Sequence, residues 1–96
     1  MSHDAKTFAP RVVVIVTAGH DTGRSGLITQ ADERNVWYVD GKYRSIEHPK
    51  KKNKRHVRSL GHADVRRYDQ IMNQTDRGTA NAGIRELLKD FTQGEV

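Results

Sequence analysis

The chain has 96 residues, of which 34% are hydrophobic and 30% are charged, and this composition supports a single domain with one modest core. It contains no cysteine, which excludes a disulfide framework and every zinc site built on thiolates. The net charge is +5, and the longest apolar run, residues 12–16, is far too short to cross a bilayer.

The N-terminal part of the chain predicts a tail followed by a strand. Residues 1–10 lack periodicity and carry polar groups where a signal peptide would be apolar, so we expect a mobile tail on a cytoplasmic protein. From residue 11 the β-branched run RVVVIVT has the length of a strand. Because this run is apolar at consecutive positions, one face should point into a barrel and the other needs a second cover.

Glycines and turn residues divide the middle of the chain. Glycines at positions 19, 23 and 26 predict a tight loop with a bulge or a close approach of the backbone. LITQA then predicts a second strand, and DERN a polar turn. VWYVDGKYRSI predicts a hairpin around Asp40-Gly41, a dipeptide that tolerates the positive φ angles of a type I′ turn. EHPKKKNK predicts a loop, and RHVRSL a short closing strand.

Two adjacent aromatic residues of the third strand, Trp37 and Tyr38, must point to opposite faces. Tyr38 shares a side with Val36, which favours an outward position for Trp37. An outward Trp37 has two interpretations: it packs under a C-terminal helix, or it offers a stacking face to a base.

After Gly61 the apolar period changes from two to 3.6. ADVRRYDQIMNQ places three apolar positions on one helical face: Val65, Tyr68 and Met72. GTANAGIRELLKDF predicts an amphipathic helix that is capped by Thr79 or Asn81 and presents Ile84, Leu87, Leu88 and Phe91. We therefore expect a mostly β fold with an α tail: a small barrel of about five strands over residues 11–60, and one or two C-terminal helices over residues 61–96 packed on it.

The positive charge is concentrated in one segment. Between Lys42 and Arg58 there are eight basic residues and one acid, Glu47, a net charge of +7, whereas each flank carries −1. A basic excess confined to one stretch is typical of a protein that binds a polyanion. The alternative is a solvated surface loop.

The predicted RNA-binding residues lie in this segment and in the glycine turn. Lysines neutralise phosphates, arginines add planar contacts, and aromatic rings stack on bases. The glycines either let the backbone approach a phosphate or only allow the strand reversal. The full set is Gly23, Arg24, Lys42, Tyr43, Arg44, His48, Lys50, Lys51, Lys52, Lys54, Arg55, His56 and Arg58.

No catalytic, nucleotide-binding or metal motif is predicted. The glycine turn lacks the spacing, the lysine and the following helix of a P-loop. The histidines form no close i, i+4 helical pair, so we expect no metal and no cofactor. Ser25 is not at a nucleophile elbow, and the acids of the turns are interpreted as solvated: Asp21, Asp32 and Glu33. We expect no enzymatic activity, no small-molecule substrate and no membrane partner.

The residues VVVIVTAGHDTGRSGLITQADERNVWYVDGK resemble a KOW motif, with its glycine-rich G-x-x-x-G-x-x-G turn followed by an aliphatic residue, here Leu27. The segment DGKYRSIEHPKKKNKRHV is similar to the D-G-K-x-R … P-K-x-K … H segment of small bacterial KOW proteins. These proteins are akin to a large-subunit ribosomal protein of archaea and eukaryotes. TANAGIRELLKDF resembles their C-terminal helix, so the resemblance covers about residues 11–92.

This resemblance implies an SH3-like barrel, binding to RNA, in particular ribosomal RNA, and association with the ribosome or with translation. A second function is open: a KOW module that docks onto a protein, as the C-terminal module of the NusG transcription factor family does. The +7 segment favours RNA, because a protein-docking barrel does not need such a concentration of charge. An exposed apolar face on the C-terminal helix would favour docking.

Overall fold

The computed structural model describes residues 8–92, in which five strands precede two helices. The strands are β1 (Val12–Val16), β2 (Ser25–Ala31), β3 (Asn35–Val39), β4 (Lys50–Asn53) and β5 (Val57–His62). One turn of 3-10 helix (Lys54–His56) joins β4 to β5, and the helices are α1 (Val65–Met72) and α2 (Arg77–Thr92). All five strands form one antiparallel sheet in the order β4-β3-β2-β1-β5. The predicted mostly β fold with a helical tail is confirmed.

Both faces of β1 are covered, as its uninterrupted apolar run predicts. Val13 packs in a core cluster with the two helices. Val12, Val14 and Val16 point to the other face and belong to a second cluster, which contains side chains of β2, β3 and β5. Because successive side chains of a strand alternate between faces, a single five-residue run contributes to both cores.

The N-terminal prediction falls in part on undescribed residues. Residues 1–7 of the predicted tail lie outside the described part of the chain. Phe8 is buried in the second cluster, whereas Ala9 and Pro10 are exposed. Phe8, which precedes the first strand, therefore belongs to the core.

The helices cover one face of the sheet mainly through α2, whose Ala80, Ile84, Leu87 and Leu88 are buried. The predicted inward face of α1 is partly wrong: Ile71 is its buried residue, and Val65 is half exposed. Asp64 caps α1 through the backbone amide of Arg67, so Val65 lies in the first turn, away from the contact with α2. Neither helix is long and apolar enough to cross a membrane.

The start of α2 also differs from the prediction. Asp76, and not Thr79 or Asn81, caps this helix, because its Oδ2 accepts hydrogen bonds from the Thr79 amide (2.8 Å) and hydroxyl (2.6 Å). These bonds lower the pKa of the Asp76 carboxyl. Asn81 instead accepts a 2.8 Å hydrogen bond at its Oδ1 from the amide of Ile46. This hydrogen bond connects the segment before β4 to α2.

The predicted hairpin and the predicted lysine loop are both wrong in detail. The chain does turn at Asp40-Gly41, with Gly41 at φ +79°. It then leaves the sheet, because Arg85 of α2 donates a 2.5 Å hydrogen bond to the Gly41 carbonyl, and a Cβ on Gly41 would collide with the carbonyl oxygen of Asn81. The chain returns at Lys50, and the lysines themselves form β4 beside β3.

Candidate nucleic-acid interface

The glycine loop, residues 17–24 between β1 and β2, is held in a closed shape by its own backbone. Gly19 and Gly23 have φ angles of +93° and +91°, which glycine adopts without strain. The amide of Gly23 donates to the Val16 carbonyl (2.8 Å), and that of Thr22 donates to the Gly19 carbonyl (3.2 Å). This turn points Asp21 inward.

Asp21 is buried, with 2% of its surface exposed, which contradicts its interpretation as a solvated turn residue. The buried hydroxyl of Tyr38 donates a 2.6 Å bond to Asp21 Oδ2, and Arg44 Nε donates to the same oxygen at 3.1 Å. The bond from Tyr38 is the largest influence that lowers the pKa of Asp21. Burial raises the pKa of Tyr38. The result is a carboxylate that stays ionised inside the fold.

Asp32 and Glu33 are exposed, as expected for turn residues.

Arg44 joins two loops through this carboxylate. Its Nη2 also lies 3.1 Å from Asp21 Oδ2, and 30% of the side chain remains exposed. The loop of residues 40–49 is thereby tied to the glycine loop, in addition to its bonds with α2. The sequence predicts Arg44 as an RNA contact. In the structure its guanidinium group holds the loop of residues 40–49 against the glycine loop.

Four of the predicted residues line one shallow groove of about 400 Å³: Gly23, Arg24, Lys42 and Tyr43. The Arg24 guanidinium lies 4.0 Å from the centre of the Tyr43 ring, and Lys42 Nζ lies 5.1 Å from it. Tyr43 is 58% exposed. These side chains form an aromatic platform with positive charge around it.

Helix α2 supplies the other side of this groove, which sequence reasoning missed. Arg85, Leu88, Lys89 and Thr92 line it. Their i, i+3, i+4 and i+7 spacing is a detectable signal that the four share a helical face. Nothing local in the sequence indicates that this face lies beside Tyr43.

The lysines of β4 point alternately to the two faces of the strand. Lys51 pairs with Trp37 in the register of β3 and β4, and its Nζ lies 5.8 Å from the Trp37 ring centre. Lys52 reaches the glycine loop, where its ammonium group occupies the place that a Cβ on Gly19 would take. Lys50 and Lys52 are partly buried, and Lys51 is exposed.

The orientation predicted for the two aromatic residues of β3 is confirmed. Tyr38 is fully buried, and Trp37 is partly exposed and belongs to neither core cluster of the described residues. Trp37 therefore does not pack under the helices, and its ring remains beside Lys51 at the surface.

The remaining predicted residues are less clustered. Lys54, Arg55 and His56 form the 3-10 turn, which is joined to the glycine loop where the Thr17 amide donates to the His56 carbonyl (2.8 Å). Arg58 is exposed on β5, opposite Ile15 of β1. His48 is exposed, with Nδ1 3.4 Å from the Ser45 hydroxyl. Over residues 8–92 there is no group of three histidine or acidic side chains placed to hold a metal ion.

Two groups of predicted residues therefore adjoin the glycine loop. Arg24 belongs to the loop itself and lines the groove with Lys42 and α2, whereas Lys52 contacts the loop at Gly19 and the 3-10 turn is joined to it at Thr17.

Comparison of the sequence with protein-family models finds no match, and comparison with curated proteins finds none either.

Proposed function

We propose that the protein binds RNA through the surface centred on the glycine loop. The observation that carries the proposal is that Arg24 of this loop and Lys42 both lie on the exposed ring of Tyr43. A second cation–ring pair, Lys51 on Trp37, lies on the paired strands β3 and β4. Cations attract the phosphates and release counterions, while rings stack on bases regardless of sequence. A merely solvated lysine run does not require the adjoining rings.

We propose further that the sheet is curled into a small SH3-like barrel. In a flat sheet of this strand order, β4 and β5 would lie four strand spacings apart, about 19 Å. The chain from Asn53 to Val57 spans at most about 14 Å even when fully extended, yet it joins these two edges. Register shifts in the pairing of β1 with β5 and of β2 with β3 support such a bend.

The resemblance to small KOW proteins leads us to propose ribosomal RNA, and with it the ribosome, as the partner in the cytoplasm. The lysines of β4, Arg55 and Arg58 are the members of the basic segment that we expect to contact phosphates. The competing role, docking onto a protein of the transcription or translation machinery, would need an exposed apolar face on α2. That face is buried against the sheet, which supports RNA as the partner.

The proposal is a binding role without catalysis. Within the described residues, the one buried carboxylate is that of Asp21, and it is bonded to Tyr38 and Arg44. Its lowered pKa keeps it ionised near neutral pH, whereas a general acid or base works best with a pKa close to the working pH.

A salt titration tests the proposal directly. If four or five basic side chains contact phosphates, log K for a single-stranded RNA should fall with log salt with a slope of roughly −3 to −4. A flat response would contradict RNA binding and favour the docking of a protein. Co-sedimentation with ribosomal subunits, at low and at high salt, tests the choice of the ribosome separately.

A further inference from the structure

The groove between Tyr43 and α2 has the form of a binding site for one unit of a polymer. Among the described residues that line it, four are basic and one, Asp40, is acidic. Leu88 gives it an apolar floor, and Ser25 and Thr92 add hydroxyl groups. A purely electrostatic surface would need neither the apolar floor nor the exposed ring.

Both loops that form the groove are fixed in the free protein. Arg85 donates to the Gly41 carbonyl, which anchors the start of the segment that carries Lys42 and Tyr43. Asp40 Oδ1 accepts hydrogen bonds from the amides of Lys42 and Arg44, both at 2.8 Å. The Asp21–Arg44 ion pair holds this segment against the glycine loop, which carries Arg24. A ligand would therefore enter a site that is already formed.

We propose that this groove binds a single unstacked nucleotide of a single-stranded RNA, an inference that rests on the proposed function. The base stacks on the platform of Tyr43 and the Arg24 guanidinium, two planar groups that are both exposed. The adjoining phosphates contact Lys42 and Lys89, which both line the groove; Lys89 Nζ exchanges its exposed ion pair with Glu86 for the phosphate. Arg85 is committed to Gly41 and positions the site.

The shape of the groove favours single-stranded RNA as the ligand. The bases of an A-form duplex are stacked inside the helix and offer no free face to an aromatic side chain, whereas bases of single strands and loops can be splayed out onto one. A duplex would meet only the basic rims of the groove and the lysines of β4. The groove should therefore distinguish between the two forms of RNA, and the β4 lysines should not.

The test compares Tyr43→Leu with Tyr43→Phe, which keeps the ring. Fluorescence anisotropy would measure the affinity of each for a short single-stranded RNA and for a duplex of the same length. We expect Tyr43→Leu to weaken single-strand binding roughly 5- to 150-fold, the effect of losing one base–aromatic stack. Tyr43→Phe should stay within about threefold of the unaltered protein for both RNAs, and duplex binding should be unchanged in both variants. Lys89→Gln should also weaken single-strand binding, whereas Arg66→Gln on α1 should not.

Two results would overturn the inference and are distinguishable from failure of the proposed function. If Tyr43→Leu binds the single strand as tightly as the unaltered protein does, then the groove holds no nucleotide, although RNA binding stands. The same conclusion follows if Tyr43→Leu loses as much affinity for the duplex as for the single strand. If the unaltered protein binds neither RNA, then the proposed function itself fails. Because Tyr43 is 58% exposed, its replacement should leave the melting temperature unchanged, so a loss of affinity is not a loss of fold.

Discussion

The hydroxyl group of Tyr38 lies 2.6 Å from Asp21 Oδ2, so a buried ring of β3 determines the position of the glycine loop, which joins β1 to β2. Tyr38 occupies the strand that pairs with the β4 lysines, and Asp21 occupies the glycine loop, which carries Arg24 and contacts Lys52. Gly26 contributes to this contact, because a Cβ there would collide with the Tyr38 ring. The hydrogen bond between Tyr38 and Asp21 thus joins the core to the candidate interface.

Replacement of Tyr38 by Phe should destabilise the protein by about 1–3 kcal/mol, because a buried carboxylate loses a hydrogen-bond donor. Urea denaturation measures this change. Tyr43→Phe is the matched control, since the exposed hydroxyl of Tyr43 should contribute less than about 0.5 kcal/mol. Equal stability of the two variants would show that the Tyr38–Asp21 bond contributes nothing.

Acid should weaken the fold in part through Asp21. Its pKa in the folded protein is below the ordinary value of 3.8, so the stabilisation is complete above that value and is lost as the pH falls through the folded-state pKa. Asp21→Asn should be less stable at neutral pH and should lose less stability on acidification. Some acid sensitivity should remain in this variant, because hydrogen bonds also lower the pKa of Asp32 and Asp76. Parallel pH profiles for the variant and the unaltered protein would contradict the assignment.

Removal of charge from β4 and the 3-10 turn should weaken RNA binding without unfolding the protein. The double variant Lys51→Gln and Arg55→Gln removes two exposed cations, and the salt slope for single-stranded RNA should become shallower by about 1.4. Each replacement alone should make the slope shallower by about 0.7, whereas Arg66→Gln removes one exposed cation from α1 and should leave the slope unchanged. Equal effects from Arg66→Gln and from either single replacement would mean that only net charge matters.

The buried face of α2 should be part of the core and not a detached docking element. Leu87 is 1% exposed, so Leu87→Ala should cost about 2–5 kcal/mol of stability. Phe91 is only partly buried, and its ring lies against Gly61. Phe91→Ala should therefore cost less stability than Leu87→Ala. Thermal or urea denaturation compares the two. An unchanged stability of Leu87→Ala would indicate that α2 folds apart from the sheet.

The sequence predicts those features that depend on local patterns. The apolar run of β1 and the helical period of α2 identify both elements and their buried faces, because each pattern lies within one element. The β4 strand is missed, because lysine has low strand propensity and the pairing of residues 50–53 with β3 is a tertiary effect. The burial of Asp21 depends on Tyr38, 17 residues away, and the groove depends on a helix more than 40 residues from Lys42. Contacts between residues so far apart in the sequence leave no local pattern from which they could be predicted.

The position of β4 at the end of the sheet has a consequence for how molecules of this protein meet one another. An edge strand presents unpaired backbone groups that can pair with the edge of another copy, and rows of lysine oppose such pairing by repulsion. Three of the four residues of β4 are lysines. The charges that we expect to attract RNA therefore also keep two copies apart. A variant that lacks them should be examined for self-association before its affinity for RNA is measured, since a paired edge would hide the same surface.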